Sequence, residues 1–381
     1  MRKRLTIASF LSMFFLGVGI SVIGAAAPAI GLGPEQIGVL QAVQGLGSMA
    51  AVLVVGYYAD IYSKPRILVA GSVLLSLSFG LFFAWPLFAL NAVLIGLIGV
   101  AMGTFEASTD ALLFELHTQR RGLVVNVNHL FVTIGALLIT AYLTWLQLEW
   151  RRSMVQAAIG VALVAVLYLF SSGRRTTGGR AQPLRQRLAV LGTDRKITTM
   201  FAAITCAAGM EIASMGLIPT YLIQLRGFDP IPANVGLLVF IGGIATGRLF
   251  VGYLTSDRRI RQSIAVLFAT ASVAMSVLYF VDIGPWVVAA LFVAGNAISA
   301  LVPLVITYAG LLHPEMAGTA MGAVKVGLPL GGIAVPFLIS LLARMVGFAA
   351  ALALIPLAGA VGLLLAVSAG AVRDTSFDDR R

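Results

Sequence analysis

Long apolar stretches separated by short polar breaks run the whole length of the chain. Twelve of them hold mostly apolar residues over about 20 positions: 5–30, 36–58, 67–85, 87–114, 122–148, 153–171, 197–225, 233–254, 262–281, 285–312, 316–343 and 346–370. A stretch of that length crosses a bilayer as a helix. Lipid offers no partner to backbone polar groups, and the stretches are too continuous for barrel strands, so each is expected to be helical. The pattern predicts an all-α membrane protein with twelve transmembrane helices. Few polar positions interrupt these runs, and four are ionisable groups deep inside a span: Glu106, Asp110, Glu211 and Lys325.

Composition agrees with the pattern, since 59% of the 381 residues are hydrophobic and 11% charged, against about 25% charged in soluble domains. The opening MRKRLTIASF resembles a signal peptide, but its apolar part is longer than a signal's 7–15 residues and is expected to remain as the first span. Cys206 is the only cysteine, so no disulfide forms within the chain. The net charge of +11 reflects topology and not a nucleic-acid partner. With the N-terminus inside the cell, 20 of 26 Lys and Arg fall on the inner side, four fall outside, and Arg248 and Lys325 lie within spans. This positive-inside bias places both termini in the cytoplasm, and Trp85, Trp145, Trp150 and Trp286 at the outer ends of spans form an aromatic belt. The cell inner membrane is the expected location. The longest polar stretch, SSGRRTTGGRAQPLRQRLAVLGTDRK, reads as a cytoplasmic basic linker, 172–196, between an N-terminal bundle, 1–171, and a C-terminal bundle, 197–381, of six helices each.

The halves echo each other. GYYADIYSKPR after span two has a counterpart, GYLTSDRRIR, after span eight, and internal repeats of this kind recur in secondary transporters. The first copy is similar to the signature of the major facilitator superfamily, Gly-x-x-x-Asp-Arg-x-Gly-Arg-Arg, through Gly56, Asp60, Lys64 and Arg66; Ile61 and Ser63 depart from it, and Asp257 of the second copy falls one place late. The resemblance implies two pseudo-symmetric six-helix bundles that rock about a central solute site. It also implies that this loop is a latch, which makes Asp60 and Arg66 gating residues. Arg248, close to the inner end of span eight, is expected to join Asp257 or a lipid phosphate in gating.

Four ionisable groups at depth would cost on the order of 10 kcal/mol in lipid, so they are expected to face a wet cavity or a partner. Glu106 and Asp110, spaced i,i+4, share one helix face. Glu106 and Lys325 both lie roughly 13 Å from the inner ends of their helices, which suggests an ion pair between the halves, formed when the inner side is shut. A carboxylate held away from bulk water binds a proton more readily, so Glu106 and Glu211 are the candidates to carry a coupling proton, with Asp110 a hydrogen-bonding neighbour.

Three motifs resemble the fucose and glucose/galactose permease group and its uncharacterised bacterial relatives. They are Gly103-x-x-Glu106-x-x-x-Asp110, the run through Asn126, His129, Gly135 and Ala136, and Gly209-x-Glu211 followed by Pro219-x-Tyr221. Span one lacks an acid, Gly216 stands where relatives often carry Trp, and Asp110 replaces Asn. The resemblance links Glu106 to proton coupling and sugar binding. Gln41, Gln44, Asn126, Asn128, His129, Gln156, Tyr221 and Asn296 are further polar candidates for a pathway, each also suited to joining helices. Glycines 318, 322, 327, 331 and 332 read as close helix packing and hinge capacity in span eleven.

The expected function is secondary active transport by alternating access, with proton-coupled uptake of a small polar solute such as a sugar. The alternative is proton-driven export of amphipathic compounds, disfavoured because IGALLITAYL replaces the exporters' Gly-Pro-x-x-Gly-Gly motif. An enzyme is not expected, since three histidines show no metal-ligand spacing and no nucleophile triad appears. Nor is a membrane sensor, for want of a segment long enough to signal. No cofactor beyond the proton is expected, and a monomer in the bilayer is.

Overall fold

The computed structural model describes residues 2–61, 63–117, 121–170, 189, 192–255, 259–312 and 317–369. These residues are almost entirely helical, with no strand among them. The first nine spans are single helices: α1 (Arg2–Ile30), α2 (Pro34–Ile61), α3 (Lys64–Gly80), α4 (Phe88–Leu116), α5 (Arg121–Trp145), α6 (Trp150–Leu169), α7 (Arg195–Arg226), α8 (Pro230–Leu254) and α9 (Ile260–Phe280). Each of the last three is broken once. The tenth is α10 (Val287–Ile298) with α11 (Leu301–Leu312), the eleventh α12 (Ala317–Lys325) with α13 (Gly327–Val346), and the twelfth α14 (Phe348–Ala351) with α15 (Leu354–Ser368). Among the described residues, eleven spans are long and apolar enough to cross a membrane, and α3, at 17 residues, has the shortest length that still does so. The expected linker 172–196 lies, apart from Ala189 and 192–196, outside the described residues.

Proline explains the breaks. A proline has no N–H to give the carbonyl four residues earlier, and its ring crowds that carbonyl. Pro303, Pro329 and Pro356 stand four residues after Ser299, Lys325 and Leu352, and the three breaks fall at those points. Pro28, Pro219 and Pro336 lie inside continuous helices. There a neighbour exploits the released carbonyl: Pro219 frees the oxygen of Met215, and a Cβ on Gly24 of α1 would lie only 2.1 Å from it.

Glycines set the helix pairs within each half, because a missing side chain lets backbones approach. A Cβ on Gly17 would lie 1.9 Å from Val132 O, and one on Gly135 1.9 Å from Phe14 O, which fuses α1 to α5. A Cβ on Gly99 would lie 2.0 Å from Gln44 O, which does the same for α2 and α4. The second half repeats both pairings. Gly331 closes on Thr205 O at 2.1 Å to join α13 with α7, while Gly243 and Gly295 close on Phe292 O at 2.3 Å and Phe240 O at 2.1 Å to join α8 with α10. The expected packing role of Gly327, Gly331 and Gly332 in span eleven thus has definite partners on α7.

One end of the bundle carries the basic residues at the start of α1, α3, α5 and α7, and the other carries the four tryptophans; they are termed the basic face and the tryptophan face. From the tryptophan face to mid-depth the halves are tightly sealed. A Cβ on Gly38 would lie 2.4 Å from Pro336 O, and one on Gly45 2.6 Å from Ile333 Cγ1. Ser340 Oγ donates to Glu35 O at 2.6 Å, and Asn234 Nδ2 donates to Ala25 O at 2.9 Å. Toward the basic face the two halves are joined instead by the polar side chains described next.

Candidate functional site

Arg248 sits at the centre of the first polar cluster. Its Cα is near the basic end of α8, but side chains on a helix lean toward the helix N-terminus, which for α8 is the tryptophan end. The guanidinium is carried toward mid-depth, where Nη2 donates to Glu211 Oε1 of α7 at 2.7 Å and Nη1 to Thr133 Oγ1 of α5 at 2.7 Å. Nε donates to Ser299 O at 3.2 Å. That carbonyl is available because Pro303 cannot bond to it. Arg248 therefore ties three elements of its own half to Thr133 of the other, and its expected pairing toward the inner surface is replaced by Glu211; Asp257 lies outside the described residues.

Asp110 is the second hub. Lys325 Nζ donates to Asp110 Oδ2 at 3.2 Å across the halves, His129 Nε2 lies 3.0 Å from the same oxygen, and Asn128 Nδ2 donates to Oδ1 at 2.9 Å. The expected Glu106–Lys325 pair is corrected by this geometry. Glu106 and Lys325 do have similar Cα depths, but the lysine stem leans toward the N-terminus of α12, which is the basic face. It therefore reaches the acid one turn nearer that face. Glu106 has no hydrogen bond or contact ion pair among the described residues; its carboxylate lies in the cavity wall and acts on Lys325 through space, without touching it.

Between and above these clusters lies a cavity of about 160 Å³. Its walls come from α1, α2, α4 and α5 of one half and α7, α8, α11 and α13 of the other. Gln41, Gln44, Ser48, Glu106, His129, Glu211 and Arg248 supply its polar surface, and Met13, Leu16, Ile20, Met102, Val132 and Ile212 much of the apolar remainder. No Phe, Tyr or Trp is among the described lining residues. Gln44 Nε2 donates to Gly19 O at 2.8 Å, and Gln41 Nε2 to Ile212 O at 2.7 Å across the halves.

Other sequence candidates fall elsewhere. Tyr221 is fully buried between α7 and α9, donating its hydroxyl to Leu278 O, accepting from Arg226 Nε at 2.6 Å and meeting Tyr279 edge-on at 5.0 Å. It anchors the tryptophan face and does not line the cavity. Asn296 Nδ2 donates to Thr246 Oγ1 at 3.4 Å, which joins α10 to α8 away from the cavity. Gln156 accepts from Tyr142 at 2.5 Å near the tryptophan face. Arg66 is exposed at the start of α3; the side chains of Asp60 and Asn126 lie outside the described residues. Thr133 and Ser48 were not singled out by sequence, although Thr133 follows His129 at i,i+4 and so shares its face.

The description "Major Facilitator Superfamily" matches residues 5–336. The chain belongs to that superfamily. This facilitator is 26% identical, over 92% of its length and 90% of the relative's, to the 3-(3-hydroxy-phenyl)propionate transporter of Escherichia coli (strain K12). It is 22% identical to an uncharacterized MFS-type transporter of Yersinia pestis, over 96% and 94% of the two chains. Among solved structures, a mutant form of the nucleoside transporter NupG superposes with a TM-score of 0.79 at 13% identity, covering 97% of this facilitator and 99% of that chain. A bacterial homolog to the human lysosomal transporter Spinster, in an inward-facing and unoccupied conformation, gives 0.73 at 14%, covering 97% and 95%. This facilitator is a multi-pass membrane transporter, and its cavity is bounded by both of its halves.

Proposed function

We propose that the chain couples uptake of a small organic solute to protons, by alternating exposure of the central cavity to the two sides of the membrane. The observation that carries this reading is the Arg248–Glu211 pair, which lies in the cavity wall and reaches across to Thr133. Solute and proton can act on the same link: a proton on Glu211 weakens its hold on Arg248, and the released guanidinium then rearranges against Thr133. Asp110–Lys325 is the second link between the halves, nearer the basic face. We place that face in the cytoplasm, because lysine and arginine collect there, and the protein in the cell inner membrane as a monomer. The named relatives carry an aromatic acid and nucleosides, which supports an organic solute without fixing its kind. The sugar suggested by resemblance draws no stacking surface from this wall.

The test is proton uptake with solute in proteoliposomes, read by a pH-sensitive dye. The unaltered protein is expected to acidify the lumen when solute enters. Glu211→Gln is expected to abolish gradient-driven accumulation at least tenfold while retaining solute exchange. Solute accumulation insensitive to the proton gradient would refute the reading.

A further inference from the structure

The polar surface of the cavity divides into an acceptor side and a donor side. The acceptor side lies where α2 meets α4. Gln44 Nε2 is held by the carbonyl of Gly19, so the amide oxygen is turned away from that bond. Oε1 of Gln44, Oγ of Ser48 and both carboxylate oxygens of Glu106 have no hydrogen-bond partner among the described residues, and each keeps an open surface on a residue that lines the cavity. Gln41 Oε1, by contrast, is closed off. Backbone contact brings the three residues together: a Cβ on Gly99 would lie 2.0 Å from Gln44 O, and one on Gly103 2.3 Å from Ser48 O. Gln44 and Ser48, spaced i,i+4, share one face of α2. Glu106 is one turn beyond Gly103, and its side chain leans back toward the N-terminus of α4, toward the level of Ser48. Three acceptors, one of them charged, match the three N–H donors of a primary ammonium. Lys325 does not fill this place, since it is bonded to Asp110 and meets Glu106 only through space.

The donor side is Arg248, on the opposite half. A guanidinium has five N–H donors, and the bonds to Ser299, Thr133 and Glu211 use one each on Nε, Nη1 and Nη2. Two donors remain on a group that lines the cavity. Charge sets what the two sides accept together. His129 apart, the wall holds Glu106 and Glu211 against Arg248, which leaves one excess negative charge; Asp110 and Lys325 cancel just beyond it. A proton on Glu211 removes the excess and releases Arg248, so that one carboxylate and one guanidinium then face the same cavity from opposite halves. A solute with both an ammonium and a carboxylate matches the two and adds no net charge. A lone cation or anion would leave a charge unmatched in an interior that is otherwise aliphatic and thioether, from Met13, Ile20, Met102 and Val132. A cavity of about 150 Å³ holds benzene, so about 160 Å³ admits a solute of about six or seven non-hydrogen atoms.

On the proton-coupled reading above, we propose that the solute is a small aliphatic zwitterion: its ammonium sits against Glu106, Gln44 and Ser48, and its carboxylate takes the place of Glu211 on Arg248. The solute's carboxylate and an ionised Glu211 compete for one guanidinium, so the solute binds together with a proton. A molecule held at both ends also ties α2 and α4 of one half to α8 of the other, which links occupancy to the movement that exposes the cavity.

The experiment measures binding to the purified chain by calorimetry, with alanine, β-alanine and 4-aminobutyrate as zwitterions, and pentanoate, pentylamine and a hexose as probes that lack one charged end or both. At least one zwitterion is expected to bind roughly tenfold more tightly than pentanoate or pentylamine. Glu106→Gln is expected to bring the ratio of zwitterion to pentanoate near one, and Arg248→Gln the ratio of zwitterion to pentylamine. Gln44→Leu is expected to weaken the amine-bearing probes severalfold while pentanoate stays within about twofold. Because each ratio is taken within one variant, partial misfolding does not mimic the result. Binding of no zwitterion, a singly charged or neutral probe that binds as tightly, or a ratio unchanged in Glu106→Gln or Arg248→Gln overturns the proposal. Calorimetry in two buffers of different ionisation heat reads the proton taken up on binding, and Glu211→Gln is expected to abolish that uptake while the ratios persist. Expected ratios with no proton taken up sink the coupling and leave the solute class intact. If a probe other than a zwitterion accumulates in proteoliposomes with the proton gradient, and Glu211→Gln abolishes this, the solute class falls and the coupling stands.

Discussion

Asp110 and Glu106 are one helical turn apart, yet only Asp110 is held by Lys325, His129 and Asn128. Their substitutions should therefore differ. Asp110→Ala leaves Lys325 without its bonded counter-charge, and a loss of about 2 kcal/mol is expected, below the 3–5 kcal/mol of a fully buried pair because both side chains retain some contact with water and Glu106 still acts on the lysine through space. Adding Lys325→Met should restore most of that loss, since no uncompensated charge then remains. Glu106→Gln should leave stability nearly unchanged. Thermal unfolding in detergent checks all three; a larger loss for Glu106→Gln than for Asp110→Ala would return the lysine to the other acid. That an acid belonged near Lys325 was legible from helix depth alone. Which acid was not, because Cα depth ignores the several ångströms by which a long side chain leans toward its helix N-terminus.

At the scale of elements, prolines and glycines do most to shape the cavity. Pro303 interrupts the tenth span and leaves Ser299 O to Arg248. Pro303→Ala restores an N–H that competes for this carbonyl, so α10 and α11 should join into a straighter helix. Thermal stability is expected to hold or rise slightly, as relief of a proline in a helix allows, while uptake falls severalfold because Arg248 loses one of its three restraints. Transport assays alongside unfolding curves would show whether the two readouts part; a variant with normal uptake would mean that the break has no part in the cycle. The helices themselves were readable from apolar length, and α1 to α9 match the expected spans to within a few residues. The three breaks were also written in the chain, four residues before Pro303, Pro329 and Pro356, but their meaning depends on which side chain arrives at the freed carbonyl.

For the whole molecule, backbone packing seals the tryptophan face, whereas toward the basic face the halves are held by side-chain links such as Lys325–Asp110 and Arg248–Thr133. Gly38 and Ser340 sit in the seal, whereas Ser48 lines the cavity. In a Cys206→Ser background, Ser48→Cys should react with a membrane-impermeant thiol reagent offered from the basic face, and Ser340→Cys should resist it. Bound solute should slow the Ser48→Cys reaction severalfold. Equal labelling of the two positions would show that the resting protein is not closed as described.

The order of apolar runs, their helical state and the division into two related sets of six were determined by sequence alone. Lipid leaves a greasy run of that length no alternative to the helix, and length is a local property. The pairing of Arg248 with Glu211 and Thr133, of Lys325 with Asp110, and the retreat of Tyr221 and Asn296 into helix contacts were decided only by tertiary structure. Those outcomes depend on the rotation and lean of helices more than a hundred residues apart, fixed by glycine contacts that set how closely and at which face each pair of backbones meets.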